Sequence, residues 1–269
     1  MGRYAAAMAV GLLTIAAAGS AWAAKSDLDG IWLPTERNIL QQVPGRPDAA
    51  GGGAPATGAG SQGAAEGAAR RGRGNGPPPG AIPPYKPDWA AKYQATVAAS
   101  RAGKITVDPT AKCLPPGMPR TMSTPFPIEF SVEPDRVLVL FEIGGVRRIP
   151  TDGRKHPSED DLTPTFMGDS VGHWEGDTLV VDTVGLRDDT VFDASGSSHS
   201  DKMHVIECIR LLSPDKLEDA MTIEDPVAFE HPWQQTHTYD RKRDWQIMEF
   251  VCEENNRGIN PDGSDAPGR

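Results

Sequence analysis

Between Pro127 and Cys252 the chain alternates short apolar stretches with tight-turn signals, a pattern that few folds can absorb. PIEFSVE and RVLVLFE flank Pro134-Asp135, and Gly144-Gly145 leads into VRRIPT. SVGHW and TLVVDTVG flank Glu175-Gly176-Asp177, and HVIECIRLL and LEDAMTIED flank Ser213-Pro214-Asp215-Lys216. QQTHTYDR and WQIMEFVC flank Lys242-Arg243-Asp244. Runs of this kind, rich in β-branched and aromatic residues and bounded by Gly, Pro and Asp, read as strands joined by tight turns. Nine of them, mostly consecutive, predict a mainly β, antiparallel up-and-down sheet inside a domain spanning residues 85–258. So many strands leave exposed edges unless the sheet curls, so a lipocalin-like barrel or half-barrel is expected, with a two-sheet β-sandwich as the alternative.

One helix is expected ahead of the strands. In DWAAKYQATVAASRAGK, Asp88 is the predicted cap, Trp89, Tyr93 and Val97 fall at i, i+4 and i+8, and Gly103 ends the pattern. A Trp/Tyr stripe at that spacing predicts core packing. Residues 25–42 read as ordered, with Ile31 and Trp32 anchoring the N-terminus on the core. Residues 43–84 are dominated by Gly, Ala and Pro and predict a flexible linker, because they bury too little apolar area to offset their ordering entropy. A disordered tail is expected over 259–269.

Residues 1–24 read as a secretory signal peptide. Arg3 supplies the positive end, Ala5 to Ala18 form an apolar run too short to span a bilayer, and Ala21-Trp22-Ala23 fits signal-peptidase cleavage. The expectation is export to a periplasm. A formal net charge of −10 argues against nucleic acid and anionic membrane surfaces as partners, and no later stretch reaches membrane-spanning length. An oxidising compartment suits one disulfide among three cysteines. Cys113, in the loop AKCLPPGMPR, is expected to pair with Cys252, leaving Cys208 as a buried thiol within HVIECIRLL.

The chemistry concentrates in one place. From His156 to His204 the chain holds eleven Asp/Glu and four of its six histidines, balanced only by Arg187 and Lys202. Carboxylates and imidazoles are the groups that move protons near neutral pH. The loop GLRDDTVFDASGSSHSD carries Asp188, Asp193, His199 and Asp201, and offers a His–carboxylate dyad centred on His199. A second loop, DGRKHPSEDDLTPTFMGDS, carries His156, Asp161 and Asp169. In TLVVDTVG, Asp182 falls on a face shared with Val180 and Val184, which predicts a buried carboxylate. Of Arg147 and Arg148, one must point into the sheet's interior, where Glu207 and Glu249 are the candidate partners.

Other signals are weak or absent. His173 reads as packing beside Trp174, and His231 and His237 as ordinary strand or loop residues. No HExxH, HxH, CxxC or EF-hand spacing occurs, so no metal and no cofactor are assigned. No GxSxG elbow, P-loop or dinucleotide fingerprint is present either.

AKCLPPGMPR, the run MGDSVGHWEGDTLVVDTVG with the later SHSD, and WQIMEFVCEENN together resemble a family of exported proteins of proteobacteria and acidobacteria to which no activity is attached. The resemblance covers residues 108–257 and implies one exported domain. Family members read GFND where this chain has Gly185-Leu186-Arg187-Asp188.

The expected function is therefore acid–base catalysis on a small, partly apolar organic molecule, of lyase, hydratase or isomerase type, since no activated nucleophile is evident. His199 would be one proton-transfer group, oriented by Asp193 or Asp201, and His156 the other. Arg147, Asp161, Asp188 and Trp174 would contact substrate, with Arg147 stabilising developing negative charge. The alternative is a non-catalytic ligand-binding or envelope protein.

Overall fold

The computed structural model describes residues 27–35, 82–102, 104 and 108–252. The expected signal peptide, most of the linker, the helix-ending Gly103 and the tail lie outside the described residues. Nine strands form one antiparallel sheet: β1 (Gly30–Pro34), β2 (Ile128–Val132), β3 (Arg136–Phe141), β4 (Gly145–Pro150), β5 (Asp169–Glu175), β6 (Thr178–Val184), β7 (His204–Ser213), β8 (Lys216–Glu224) and β9 (Trp233–Arg241). Their order is β4-β3-β2-β1-β9-β8-β7-β6-β5, so every hydrogen-bonded neighbour is a sequence neighbour except the β1–β9 pair. The result is a nearly closed barrel, in place of the alternative sandwich.

Alternation along each strand fills the interior. In β3, Val137, Val139 and Phe141 are buried, as are Leu179 and Val181 in β6 and Leu217, Met221 and Ile223 in β8. Side chains of this size each stabilise by about 1.5–3 kcal/mol when fully buried. The chain's first described strand does what Trp32 predicts. The Trp32 ring is completely buried, its Nε1 donates to the Leu28 carbonyl at 3.0 Å, and Arg241 stacks over it at 4.1 Å.

The barrel has a seam. β4 and β5 are the two ends of the sheet order and share no ladder. They nevertheless touch: a Cβ at Gly172 would lie 2.8 Å from Ile149 Cγ2, so glycine is what lets β5 approach β4. Eighteen residues of loop, from Thr151 to Gly168, connect the two strands outside this seam.

Two sequence expectations change. WQIMEFVC is not a strand: residues 245–251 belong to no sheet, and β1 takes the ninth place. The apolar run next to the disulfide satisfies the strand pattern, but both sides of β9 are already occupied by β8 and β1. The helix, α1 (Pro87–Arg101), starts one residue before the expected cap: Lys86 is the N-cap, Pro87 stands at the first helical position and Asp88 lies in the first turn. Tyr93 and Val97 are buried on the barrel side, as their spacing predicts.

The Cys113–Cys252 disulfide is present, with Cα atoms 5.5 Å apart, and it holds the extended C-terminal run against the 108–127 segment. Cys208 is free but faces outward and is only half-buried, and partial burial raises its thiol pKa. Non-reducing peptide mapping is expected to yield one cross-linked peptide pair, Cys113 with Cys252, and an alkylatable Cys208. Alkylation at Cys113 without reduction would contradict this connectivity.

Candidate functional site

The residues singled out in the sequence separate into three places. His199 is buried and fully engaged: Nε2 meets Thr190 Oγ1 at 2.7 Å, Nδ1 donates to the Ser200 carbonyl at 2.9 Å, and the ring packs 5.3 Å from Phe192. Burial pushes its imidazole below the ordinary value, and it is held from solvent. Asp193 is buried too, accepting from Ser195 N at 2.8 Å and from the Ser195 and Ser197 hydroxyls at 2.6 Å. The two order the 185–203 loop, on which Tyr85 and Tyr93 then bond Ser198 and Ser195. Asp201 is exposed, 4.0 Å from Lys202. Asp188 is exposed as well, and Asp161 is an exposed acceptor for Ser158 Oγ at 2.6 Å. Trp174 is half-buried at the inner end of β5, opposite Leu179. None of these shares a hydrogen-bond partner with His156.

His156 has a different setting. Its Nδ1 lies 2.5 Å from Asp169 Oδ1 and its Nε2 lies 3.1 Å from Asp182 Oδ1. The same Asp182 oxygen is 2.9 Å from His204 Nε2, and His204 Nδ1 is 3.4 Å from Glu224 Oε2. Three carboxylates and two imidazoles thus alternate across four neighbouring strands. The topology explains the row. Asp169 opens β5, Asp182 sits near the end of β6, His204 opens β7 and Glu224 closes β8, all at one end of the sheet and all on its outer face. Asp182 is consequently half-exposed, not buried; its apolar neighbours Val180 and Val184 are themselves partly solvent-facing. The 151–168 loop folds over this end and brings in His156.

Proton counting shows what such a row can do. Each neutral imidazole carries one N–H and each ionised carboxylate carries none. Four nitrogen–oxygen contacts join the row, three of them hydrogen bonds and the fourth, His204 to Glu224 at 3.4 Å, an ion-pair contact. The hydrogen-bonded part of the row, Asp169–His156–Asp182–His204, is an arrangement in which imidazoles and carboxylates can exchange protons.

Beside it, over the β4/β5 seam, lies a groove of about 650 Å³. Asp169, Lys155, Pro157, Arg148, Phe166 and Met167 are on its walls. Arg154 is forked onto Asp152, whereas the described structure gives Arg148 and Lys155 no ion-pair partner. In an otherwise acidic protein, two unmatched cations at one groove favour an anionic occupant.

The third place is the barrel interior. Arg147 points inward and Arg148 outward; the Arg147 guanidinium forks onto Glu207, with Nη1 at 2.9 Å from Oε1, and bonds Ser170 Oγ at 3.1 Å and Thr183 Oγ1 at 2.8 Å. Glu249, the other candidate partner, is exposed on the C-terminal run and takes no part. Elsewhere in the interior, Asp219 and His237 are opposed across the β8–β9 ladder, buried, and both oxygens and both nitrogens lack a hydrogen-bond partner among the described residues. Burial raises the Asp219 carboxyl well above the carboxylate range and lowers His237 to about 4. His237 is thus an interior residue and not an ordinary strand position. His173, read as packing, is exposed and paired with Glu175 at 3.0 Å.

His204, Asp219 and His237 were not singled out by the sequence pattern. For the interior pair a signal existed: period-two counting from Leu217 and Tyr239 places both on the inner face. For His204 the signal is tertiary, since only the strand order sets it beside Asp182. Among the described residues no group of three or more His, Cys, Asp or Glu is arranged to hold a metal ion, and no helix is long and apolar enough to cross a membrane.

No protein-family model, no curated protein and no solved structure matches this chain.

Proposed function

We propose that this protein is an exported acid–base enzyme acting on a small, partly apolar organic molecule in the groove over the β4/β5 seam. The observation that carries the reading is the row Asp169–His156–Asp182–His204–Glu224, which ends on the groove wall at Asp169. His156 is the proton-transfer group. Asp169 and Asp182 orient its ring, and His204 with Glu224 extends the proton path away from the groove. This assigns to His156 the role that the sequence divided between His156 and His199. Lyase, hydratase or isomerase chemistry fits, because each needs proton transfer next to an electron-withdrawing group and none needs a covalent nucleophile. Export is supported by the disulfide, which is compatible with an oxidising compartment. The reading also places the protein among the exported family that its sequence blocks resemble.

The second reading, a non-catalytic ligand-binding or envelope protein, is favoured by one feature. Both ring nitrogens of His156 are engaged, as they would be in a clasp that ties the 151–168 loop to the sheet.

Deuterium uptake separates the two. A pooled extract of small metabolites incubated in D₂O with the protein is expected to show a component gaining one mass unit, or gaining or losing water. His156→Gln should slow that change about 100-fold or more, the usual size of a general acid–base contribution. An extract left unchanged by the wild type, or changed equally by His156→Gln, would remove the catalytic reading.

A further inference from the structure

We infer that the occupant of the groove is an amphiphilic monocarboxylate, whose apolar body runs out of the groove into a second, larger cleft. The inference rests on the reading above for where the chemistry occurs, but its geometry is separate. A cleft of about 820 Å³ adjoins the seam groove, and Pro115 and Gly144 belong to the walls of both. Its lining changes character along the way. Phe126, Phe141, Phe250 and Leu114 provide apolar wall, and the Cys113–Cys252 disulfide closes one side. Its cation is already matched, since Arg120 forks onto Asp108 with two contacts of 2.7 Å, and its carboxylate, Glu142, accepts from the Met248 amide at 3.4 Å.

The two ends therefore complement different parts of one ligand. At the groove, Arg148 and Lys155 are cationic and without ion-pair partners among the described residues. In the cleft, aromatic and aliphatic groups that would ordinarily be covered stand in solvent; Phe250 is 37 % exposed and Leu114 43 %. A carboxylate held by Arg148 and Lys155 lies on the groove that Asp169 and the loop carrying His156 border, and the carbon next to a carboxylate is where a base can act. An uncharged apolar molecule would leave the cations unused. A small polar acid would leave the cleft wet. Each volume lies in the range of about 300–1,000 Å³ typical of small-molecule sites, so a chain of moderate length is the matching size.

The probes are octanoate, acetate and octanol, titrated calorimetrically against the whole disulfide-bonded protein. Octanoate is expected to bind at least tenfold more tightly than acetate, since burying two methylenes already corresponds to roughly tenfold. It should also exceed octanol about tenfold, through the two cations. Phe250→Ser is expected to weaken octanoate about fivefold and leave acetate unchanged, with Phe126→Ser as a second variant should the first not fold. Arg148→Met should weaken octanoate and acetate but leave octanol unchanged. Absence of octanoate binding, equal affinity for acetate, or binding indifferent to these substitutions overturns the inference. Octanoate titration needs no turnover and the deuterium experiment needs no octanoate, so the two readings fail separately.

Discussion

Replacing His237 by leucine is expected to stabilise the protein by about 1–3 kcal/mol at pH 7, the cost of a buried polar group left without a partner. His237 is 2 % exposed and neither nitrogen has a partner, while leucine has a similar volume and no polar atom to desolvate. The gain should grow in acid. Burial lowers the folded-state value of His237 from 6.5 to about 4, so below 6.5 the unfolded chain takes up a proton that the folded chain refuses. The wild type therefore loses stability as pH falls from about 6.5 toward 4, and the variant does not. Over that window the difference widens by about 3 kcal/mol. Asp219→Leu has the opposite pH dependence. The folded chain keeps the Asp219 proton above the ordinary value of 3.8, where the unfolded chain has lost it. Wild-type stability thus falls as pH rises through that window, and Asp219→Leu gains most at high pH. Urea melts of both variants at pH 4.5, 6 and 8 test the pair. A destabilised His237→Leu at pH 7 would show that the ring is satisfied inside the fold, by internal water for instance.

Period-two counting places these two residues on the inner face, whereas the long-range pairings of the sheet are not disclosed that way. The strand alternation and the turns were legible because each strand needs only its own residues to define two faces. Barrel closure was legible as a need to remove edges, but the pairing that achieves it was not. β1 is five residues long and separated from β2 by about a third of the chain and from β9 by most of it, so no local turn announces either pairing. The 245–252 run shows the converse. It has the composition of a strand, but every position beside β9 is already taken by β8 and β1.

The candidate site divides along the same line. His156 was legible as a histidine in an acidic loop, and its partners were not. Asp169, Asp182 and His204 lie at separations of 13, 26 and 48 residues from it, and only the register of three antiparallel strands aligns them at one end of the sheet. His199 misleads for a local reason. Its surroundings, ASGSSHSD, look like a solvated loop, yet Asp193 and Asp225 fold that loop inward by accepting bonds from the Ser195, Ser197 and Ser200 amides and hydroxyls. Serines that read as loop filler are the donors that let the carboxylates be buried.

The largest loss is expected at Arg147, because of where the seam falls. β4 and β5 share no backbone ladder, so what joins them is side-chain contact. Arg147 leaves β4 and reaches Ser170 on β5, Thr183 on β6 and Glu207 on β7, crossing the seam through the interior with every one of these partners buried. Arg147→Met removes the crossing and leaves a carboxylate at 0 % exposure with no counter-charge, which should cost about 3–5 kcal/mol. Most of that cost belongs to the stranded Glu207 and little to the lost attraction. The double variant Arg147→Met/Glu207→Leu should therefore recover most of the stability, since well-packed apolar replacements of a buried ion pair are neutral or stabilising in comparable cases. Arg147→Lys should not substitute fully, as an ammonium cannot fork onto Glu207 while also serving Ser170 and Thr183. A seam held this way opens before the rest of the barrel. Amide hydrogen exchange in the double variant should accordingly remain fast in β4 and β5 even where the melt is restored, and slow exchange there would mean that Ile149 against Gly172 closes the seam without the arginine.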